Sequence, residues 1–409
     1  MDILPATILA SHCYDTMFIN NFTITEAPIL PADILVDNCY TYTLYGCNNL
    51  SKVVAKFTTT PSSSYTYNWL SDITATFYKN PNATWDQTIS RNTSTVPANW
   101  TITDIPSVNH LKFTTVDENG STYSFSKEGI EYSIDGGEWT TLSANTNTPN
   151  VPKDSNIRFR GNLTPNGSEG IGIFSSSGKF DAEGDLMTLL YGEYYVDQTG
   201  KYANYMFSEL FMNSKVVDAT NLVIPNAMGD YYYYKTFYSC TSLTSTPSLP
   251  FSEVGYYSCK DMFFGCTSLI NIQPMTIGSN STGSMYRMFH NCTSLVDASM
   301  ITITNEKWDA CSSMFYKCTS LRKSPIIKGD ITQSSCKYMF SYCSSLEEVV
   351  YLGNTEPKEY YSNSWLNGVA ATGTFYMSQD ATWDSTVSRD ANGIPAGWTI
   401  VKVDPNNYY

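Results

Sequence analysis

The sequence predicts a mainly β protein built from two repeat solenoids, each closed by a C-terminal cap that contains tryptophan, with a small antiparallel β-sandwich between them. Three observations support this prediction. In the second half of the chain a cysteine recurs after 26, 26, 26 and 25 residues. A segment with two tryptophans occurs twice, 298 residues apart. Between these regions, short runs of β-forming residues alternate with turn sequences.

The first predicted array covers residues 1–60. The stretch LPATILASHCYDTMFINN at residue 4 aligns with LPADILVDNCYTYTLYGC at residue 30, at an offset of 26 throughout. A repeat of this length is typical of a solenoid, because each repeat then buries its apolar face on its neighbours. Since the chain begins inside a repeat, we expect a truncated start.

Two related segments follow the arrays and are predicted to be their caps, at residues 61–105 and 356–409. FYKNPNATWDQTISRNTSTVPANWTI at residue 77 aligns without a gap with FYMSQDATWDSTVSRDANGIPAGWTI at residue 375. The alignment pairs Trp85 with Trp383 and Trp100 with Trp398. A solenoid needs a terminal unit that covers its last apolar face, and large indole rings suit that role.

Residues 106–202 have a different sequence pattern and are predicted to form the β-sandwich. LKFTTV, TYSFS, IEYSI, EWTTL and NIRFRG are β-forming segments, separated by turn sequences such as ENG, DGG and TPNG. Their short spacing favours antiparallel pairing. The glycine-containing SEGIGIF at residue 168 does not predict a phosphate site, because no helix follows it.

The second array, residues 203–355, repeats one phrase: MFFGCTSL at 262, MFHNCTSL at 288, MFYKCTSL at 314 and MFSYCSSL at 339. Phenylalanine stands three residues before each motif cysteine and leucine three residues after it, so both are predicted to be interior. The motif cysteines are Cys240, Cys266, Cys292, Cys318 and Cys343, with Phe237, Phe263, Phe289, Phe315 and Phe340 before them and Leu243, Leu269, Leu295, Leu321 and Leu346 after them.

These motifs resemble the BspA-like leucine-rich repeat family. The MFxxCTSL phrase, the 26-residue period and the GIPAGWTI ending carry the resemblance, which covers about residues 1–105 and 203–402. It implies right-handed solenoids with one short strand per repeat. It also implies adhesion or protein binding, on bacterial surfaces, on some protists, or in phages that infect Bacteroidetes.

The cysteines allow three interpretations. One is a ladder of small buried side chains, since cysteine packs as a small apolar residue. Another is disulfides between the motif column and a second column that includes Cys259 and Cys311. The last is a metal site, although six residues between Cys259 and Cys266 do not match the short spacing of a zinc knuckle. The ladder is the interpretation that we favour, and no metal or cofactor is predicted.

Composition argues against several functions. A net charge of −14 without clustered Lys and Arg argues against nucleic acid. The first residues lack the basic start of a signal peptide, and no apolar run is long enough to insert into a membrane. The three histidines, His12, His110 and His290, lie in no catalytic motif.

A carboxylate pair remains conceivable for a glycan-cleaving protein. Asp181, Glu183 and Asp185 alternate along a predicted strand. Acidic residues in that pattern are more typical of a solvated strand face. The sequence therefore predicts that the protein is not an enzyme.

Aromatic residues are the best candidates for binding. A column two residues before the motif cysteine varies in polarity and is expected to be less buried than the phenylalanine column beside it. Together with neighbouring aromatics it would present rings with a polar edge to a glycan or a protein. The alternative is that these rings only cover the shoulder of the solenoid. The candidate residues are Tyr238, Phe264, His290 and Tyr316, with Tyr231, Tyr232, Tyr256, Tyr257 and Trp308 near them.

The predicted function is non-enzymatic binding by a phage virion fibre or tail-associated protein that engages a receptor, protein or glycan, on a bacterial surface. Its expected location is the virion, with other virion proteins as partners. A homo-oligomer is expected, because fibres are commonly trimers. One alternative is a bacterial cell-surface adhesin of the BspA type, and a second is a structural virion connector.

Overall fold

The computed structural model describes residues 4–165, 169–192, 203–226, 229–250, 253–280, 282–304, 309–331, 335–357 and 362–408. Within these residues the fold is nearly all β, a β-solenoid of stacked coils, with one four-residue α-helix, α1 (Thr188–Tyr191), and one 3₁₀ helix (Trp383–Ser385). The described chain divides into two compact units, one up to residue 108 and one from residue 109 onwards. None of the described helices is long and apolar enough to cross a membrane.

The first unit contains a parallel sheet of three strands, one from each successive turn of the chain. They are β1 (Lys52–Ala55), β2 (Thr76–Lys79) and β3 (Thr101–Asp104), paired in that order. Single bridges from Glu26 and Leu30 continue the pairing onto the preceding turn. In the interior of this unit the rings of Phe57 and Phe77 contact each other and both Trp69 and Trp85, and these four rings belong to its hydrophobic core.

The second unit begins with antiparallel strands around a phenylalanine-rich core. The strands are β4 (Leu111–Thr115), β5 (Tyr123–Phe125), β6 (Ile130–Ile134), β7 (Thr140–Leu142), β8 (Asn156–Gly161), β9 (Phe174–Ser176), β10 (Phe180–Asp185) and β11 (Leu222–Val223). They form a six-stranded sheet of order β11-β10-β4-β8-β6-β7, in which β11 alone pairs in parallel, and a two-stranded sheet of β5 and β9. Phe113 packs against Phe159 and Phe180 at centroid distances of 4.9 and 4.5 Å.

The remaining strands of this unit belong to stacked coils and pair in parallel. Residues about one repeat apart face each other, as Met275 faces Ile301. β12 (Glu253–Val254) pairs with β14 (Ser279–Asn280). A six-stranded sheet contains β13 (Met275–Ile277), β15 (Ile301–Ile303), β16 (Lys323–Ile327), β17 (Glu348–Tyr351), β18 (Gly373–Ser378) and β19 (Trp398–Val403), in that order.

The motif phrase itself does not form a strand. From residue 231 to 239 every second N–H donates to a carbonyl of the next coil, as Phe237 donates to Met262 at 2.8 Å. Between them, the N–H groups of Tyr234, Thr236 and Tyr238 donate to the carbonyl three residues back, as in consecutive turns. Every fourth residue has a positive φ, including Tyr231 (54°), Lys235 (56°) and Ser239 (55°). This conformation is costly for side chains other than glycine, and the two sets of hydrogen bonds stabilise it.

A continuous stack of rings fills the interior behind the motif phrases. Six phenylalanines from successive coils stack with centroids 5.2 to 5.7 Å apart and planes within 18° of parallel. All six are fully buried, and so are the five motif leucines. The predicted interior position of both columns is therefore confirmed. The stacked rings are Phe211, Phe237, Phe263, Phe289, Phe315 and Phe340.

The antiparallel strands cover the first coil of the stack in the second unit. The N–H groups of Ile171 and Phe174 donate to the carbonyls of Met206 and Leu210, at 3.1 and 2.7 Å. In later coils the carbonyls at the equivalent positions accept hydrogen bonds from N–H groups of the preceding coil. The ring of Phe174 stacks on Phe211 at 6.0 Å. The backbone of the glycine-containing segment that ends at Phe174 thus pairs with a coil. A Cβ on Gly170 would meet a carbonyl oxygen of that coil at 2.7 Å, so the close approach requires glycine.

The two tryptophan-containing segments end in the same local structure. The guanidinium of Arg91 donates to the carbonyls of Val96 and Pro97, at 2.8 and 2.7 Å, and Arg389 donates to the carbonyls of Pro395 and Trp398, at 3.2 and 2.7 Å. Each arginine thereby ties together carbonyls five to nine residues later in its own segment.

The first described coil of the first unit differs from later coils in its main-chain hydrogen bonds. Its alternate carbonyls, at Ser11, Cys13, Asp15, Met17 and Ile19, accept no main-chain hydrogen bond from the described residues. The side chains of Ile8 and Phe22 are 90% and 59% exposed. Within the described part of the chain, no N–H groups bond to this coil as those of Ile171 and Phe174 bond to the coil in the second unit.

Candidate functional site

The motif cysteines form a ladder of buried thiols. None of the eleven cysteines forms a disulfide, and ten of them are buried. Each motif thiol donates to the carbonyl of the stacked phenylalanine in the preceding coil, for example Cys266 to Phe237 at 3.1 Å and Cys292 to Phe263 at 3.2 Å. Cysteine is favoured here because it combines small size with a weak hydrogen-bond donor. The disulfide interpretation is wrong for this structure.

Burial makes these thiols unreactive and poor ligands. It raises the pKa of Cys240 to about 12 and that of Cys39 to about 11. Because the thiolate is both the nucleophile and the metal ligand, neither role is favoured at neutral pH. Among the described residues no three His, Cys, Asp or Glu side chains are grouped to hold a metal ion.

The alternating acids lie on one face of β10, and only some of them are solvated. Glu183 forms an ion pair with Lys112. Burial raises the pKa of Asp185 to about 6, and its carboxylate accepts the N–H of Met187 at 2.8 Å. Burial and the nearby Asp218 raise the pKa of Asp181. These groups are tied to neighbouring strands, so we assign them no catalytic role.

A second stack of rings runs beside the phenylalanine stack and contains the column of binding candidates. The rings of Tyr238, Phe264, His290 and Tyr316 follow one another at 4.9, 4.5 and 4.7 Å, with planes within 21° of parallel. All four are half-buried, in agreement with the expectation that they are less buried than the phenylalanine column. Because the ring faces are shared between neighbours, their edges are what a ligand could contact.

Positively charged side chains lie over these rings and over a further column, which sequence reasoning missed. The ammonium of Lys260 is 5.7 Å from the ring centres of Tyr234 and Tyr286, and 4.6 Å from that of Tyr257. The ammonium of Lys235 is 5.3 Å from the ring of Tyr238. We call the whole set the ring–cation face: Tyr231, Tyr234, Lys235, Tyr238, Tyr256, Tyr257, Lys260, Phe264, Tyr286, Arg287, His290, Tyr316 and Lys317.

Only part of the positive charge on the ring–cation face is neutralised. Two nitrogens of Arg287 lie 2.8 Å from the carboxylate oxygens of Asp261, whose side chain is fully buried. Lys235 is 4.0 Å from Glu209. Lys260 forms no ion pair with the described residues, and burial lowers its pKa, an effect that the nearby Asp261 opposes and that Arg287 and Lys235 reinforce. Acidic groups therefore lie among the cations of the face.

The structure places the remaining binding candidates as follows. Tyr256 is 40% exposed and its ring contacts that of Tyr257 at 4.2 Å, beside Tyr231. Tyr232 is fully buried and its hydroxyl contacts the sulfur of Met206, so its assignment to the binding surface is wrong. In a run of four tyrosines, sequence alone does not show which ring points inwards. Trp308 lies outside the described residues.

Tyr234 and Tyr286 were missed because they lie four residues before the candidate column. With a positive φ at every fourth residue, a spacing of four brings two side chains onto the same surface. That period follows from the turns of the motif segment and has no counterpart in the spacing rules for strands.

An open cleft of about 570 Å³ lies beside the strands, lined by Leu249, Pro250, Pro274, Met275 and Met300 together with Ser248, Thr276 and Thr302. These lining residues include no titratable side chain. The cleft therefore offers apolar contact but no group for acid–base chemistry.

Comparison with known protein families, with curated proteins and with solved structures finds no match for this chain.

Proposed function

We propose that the protein is a non-enzymatic binding module that engages a receptor on a bacterial surface through the ring–cation face. The observation that carries the proposal is the continuity of this face over successive coils. Half-buried rings contribute large contact area at low cost in side-chain entropy, and their polar edges add hydrogen bonds. Tyrosine and arginine are also the residue types that most often dominate binding energy at interfaces.

The arrangement of repeat arrays, caps and sandwich along the chain is part of the same proposal. It consists of two BspA-like leucine-rich repeat arrays, each closed by a tryptophan-containing cap, with a small β-sandwich between them. The matched contacts of Arg91 and Arg389 with their closing loops support the equivalence of the two caps. The phenylalanine-rich core around Phe113 supports a small sandwich whose core continues onto Phe211 of the adjoining coil.

The proposed location is a phage virion, in a tail fibre or a related homo-oligomeric part that recognises the host. The alternation of arrays and caps supports this location, because modules that stack are suited to an elongated part. Antibody labelling in electron micrographs tests it. Label on phage particles supports the proposal, whereas label on the surface of uninfected bacteria favours the adhesin.

Binding by the ring–cation face is tested with fluorescently labelled protein and intact cells of Bacteroidetes hosts. Tyr234→Ala combined with Tyr286→Ala removes two half-buried rings of the face. We expect at least a ten-fold loss of affinity, because truncating two interface anchors costs about 2–4 kcal/mol. The matched control is Tyr132→Ala, a half-buried tyrosine on β6. Unchanged binding by the double variant, with circular dichroism showing that it is folded, would contradict the proposal.

A further inference from the structure

We infer that the outer face of the antiparallel sheet carries a second binding site, in which Trp139 stacks on the apolar face of an uncharged sugar and neighbouring polar side chains bind the sugar hydroxyls. The site shares no residue with the ring–cation face and goes beyond the proposed function. It is carried by three features: the exposure of Trp139, the way its ring is held, and the side chains around it.

Trp139 differs from the other described tryptophans in its exposure. Six of the seven tryptophans in the described residues are 6% exposed or less. Trp139, directly before β7, is only half-buried. An indole that stays partly in water forfeits part of the free energy that its burial would contribute. A large ring with an accessible polar edge is the kind of side chain that is enriched at binding surfaces.

The ring of Trp139 is held over the outer face of the sheet by side chains from two other strands. The guanidinium carbons of Arg160 and Arg158, on β8, lie 4.2 and 5.7 Å from the ring centre. The ring of His110, directly before β4, lies 5.0 Å away at an angle of 56°. Because the arginines lie between the ring and the sheet, the exposed part of the ring is on the side away from the sheet. The ring is therefore positioned before a ligand arrives, which lowers the entropic cost of binding.

The charges on this face favour an uncharged ligand. Lys112 faces Glu183 on one side and Arg158 on the other, so the alternate side chains of these strands share the outer face. Arg160 forms an ion pair with Glu131 at 2.8 Å, and Lys112 forms one with Glu183. Within strands β4, β6, β8 and β10 the acids of the face outnumber its lysine and arginines: Glu131, Asp181, Glu183 and Asp185 against Lys112, Arg158 and Arg160. A phosphate, an acidic polymer or a nucleic acid would therefore meet no excess of positive charge.

Hydrogen-bond donors and acceptors are both available beside the ring. Arg158 forms no ion pair with the described residues, and one of its Nη atoms donates to the hydroxyl of Ser133 at 3.4 Å, although a guanidinium has five donors. The side chain of Glu131 is 41% exposed, so its carboxylate can accept further hydrogen bonds. A sugar hydroxyl both donates and accepts, and the C–H groups of a sugar ring form an apolar face that stacks on an indole. A protein partner fits less well, because the core of a protein interface is depleted of charged side chains.

The test measures binding of the full chain by calorimetry to three uncharged polysaccharides: dextran, laminarin and mannan. We expect binding to at least one of them, with an affinity that does not change with salt because no charge on the ligand is screened. Trp139→Ala should lose about ten-fold or more in affinity, as expected for truncation of an aromatic anchor. Arg158→Met keeps the alkyl stem beneath the ring but removes the donors, and it should weaken binding several-fold.

Tryptophan emission identifies the site. A sugar that stacks on Trp139 changes the surroundings of its indole, so binding should alter the emission of the parent chain. Trp139→Tyr should retain part of the affinity, since a tyrosine ring can still stack, but it should lose this change in emission. The matched control is Tyr45→Ala, which removes a ring that is 41% exposed in the first unit and should bind like the parent chain. The variant that combines Tyr234→Ala with Tyr286→Ala should also bind the polysaccharide normally.

The failures are distinguishable. Absence of binding to all three polymers overturns the inference, and so does an equal loss in Trp139→Ala and in the Tyr234 and Tyr286 variant. Tighter binding to heparin that weakens with salt would show that an anion is recognised and also overturns it. Circular dichroism checks the folding of each variant. If Trp139→Ala does not fold, the other two variants decide: parent-like emission change in Trp139→Tyr together with parent-like affinity in Arg158→Met excludes the site.

Discussion

At the residue scale, each motif cysteine occupies a position where a small side chain is needed and a donor is useful. The thiol of Cys318 lies 3.0 Å from the carbonyl of Phe289, in a fully buried position between two coils. Serine would keep the donor, whereas a larger side chain would separate the coils. The repetition of cysteine therefore follows from packing and hydrogen bonding in a tightly wound coil.

We predict that only one thiol of the folded protein reacts with iodoacetamide. Cys13 is exposed, while the other ten are buried and several have a raised pKa. Mass spectrometry should find one modified cysteine in the native chain and eleven after denaturation. Cys13→Ser should abolish labelling of the native chain. Rapid modification of Cys240 or Cys266 without unfolding would contradict the buried ladder.

His290 makes stability depend on pH. Burial, with the nearby Arg287 and Lys317, lowers its pKa to about 4. Between about pH 6.5 and 4 the unfolded chain therefore binds a proton that the folded chain does not, so the free energy of unfolding decreases as the pH falls through this range. Because the ring is half-exposed, we expect a loss on the order of 1 kcal/mol.

His290→Phe should remove this contribution while retaining a ring between Phe264 and Tyr316. Urea unfolding at pH 7 and pH 5 measures the difference between the variant and the parent chain. Tyr316→Phe is the control, since it alters the neighbouring ring without changing the titrating group. An unchanged pH dependence in His290→Phe would show that the imidazole is solvated.

Sequence reasoning identified the interior residues of the coils well, and the surface less well. The phenylalanine and leucine columns were predictable because burial requires the same apolar residue in every repeat. The role of Tyr232 was not, since four consecutive tyrosines carry no contrast in polarity. Lys260 was missed because its partners come from three coils, and such contacts depend on how the coils stack.

At the element scale, the motif segment uses a backbone that sequence rules do not foresee. Lys235 and Arg287 have φ values of 56° and 54°, although positive φ usually selects glycine or asparagine. Coil-to-coil hydrogen bonds offset the local cost, so the conformation is a property of the stack. The strands and the paired tryptophan-containing segments were easier to predict, because the alternation of apolar and polar residues and the internal repeats can be read directly from the sequence.

The coils at residues 12–20 and 205–213 should differ in hydrogen exchange. The N–H groups of Thr16 and Phe18 donate to the next coil, as do those of Glu209 and Phe211. The coil that contains Phe211 also accepts main-chain hydrogen bonds from Ile171 and Phe174, whereas the alternate carbonyls of the first coil accept none from the described residues. We expect amides of residues 12–20 to exchange faster than those of residues 205–213, because a segment with fewer hydrogen bonds to its neighbours opens locally at lower free energy.

Exchange of these two segments is followed by mass spectrometry of the native chain. Residues 231–239, which have coils on both sides, serve as the slowly exchanging reference. Equal protection of the first coil and the reference segment would contradict the expectation.

At the scale of the whole molecule, the chain forms two compact units with separate cores. We predict two calorimetric transitions. Trp69→Ala, in the core of the first unit, should lower the temperature of one transition and leave the other in place. The shift should correspond to a loss of about 3–5 kcal/mol in the free energy of unfolding of that unit. Phe289→Ala in the second unit should have the reciprocal effect. A single transition that moves in both variants would show that the two units unfold together.

The hydrogen bonds between coils also determine how such a stack carries load. The bonds from Lys235, Phe237 and Ser239 all point from one coil to the next, in the direction of stacking. Tension in that direction is shared by every bond of one interface, but it passes through successive interfaces one after another. The weakest interface therefore sets the rupture force. A longer stack of this kind would extend farther while bearing about the same tension.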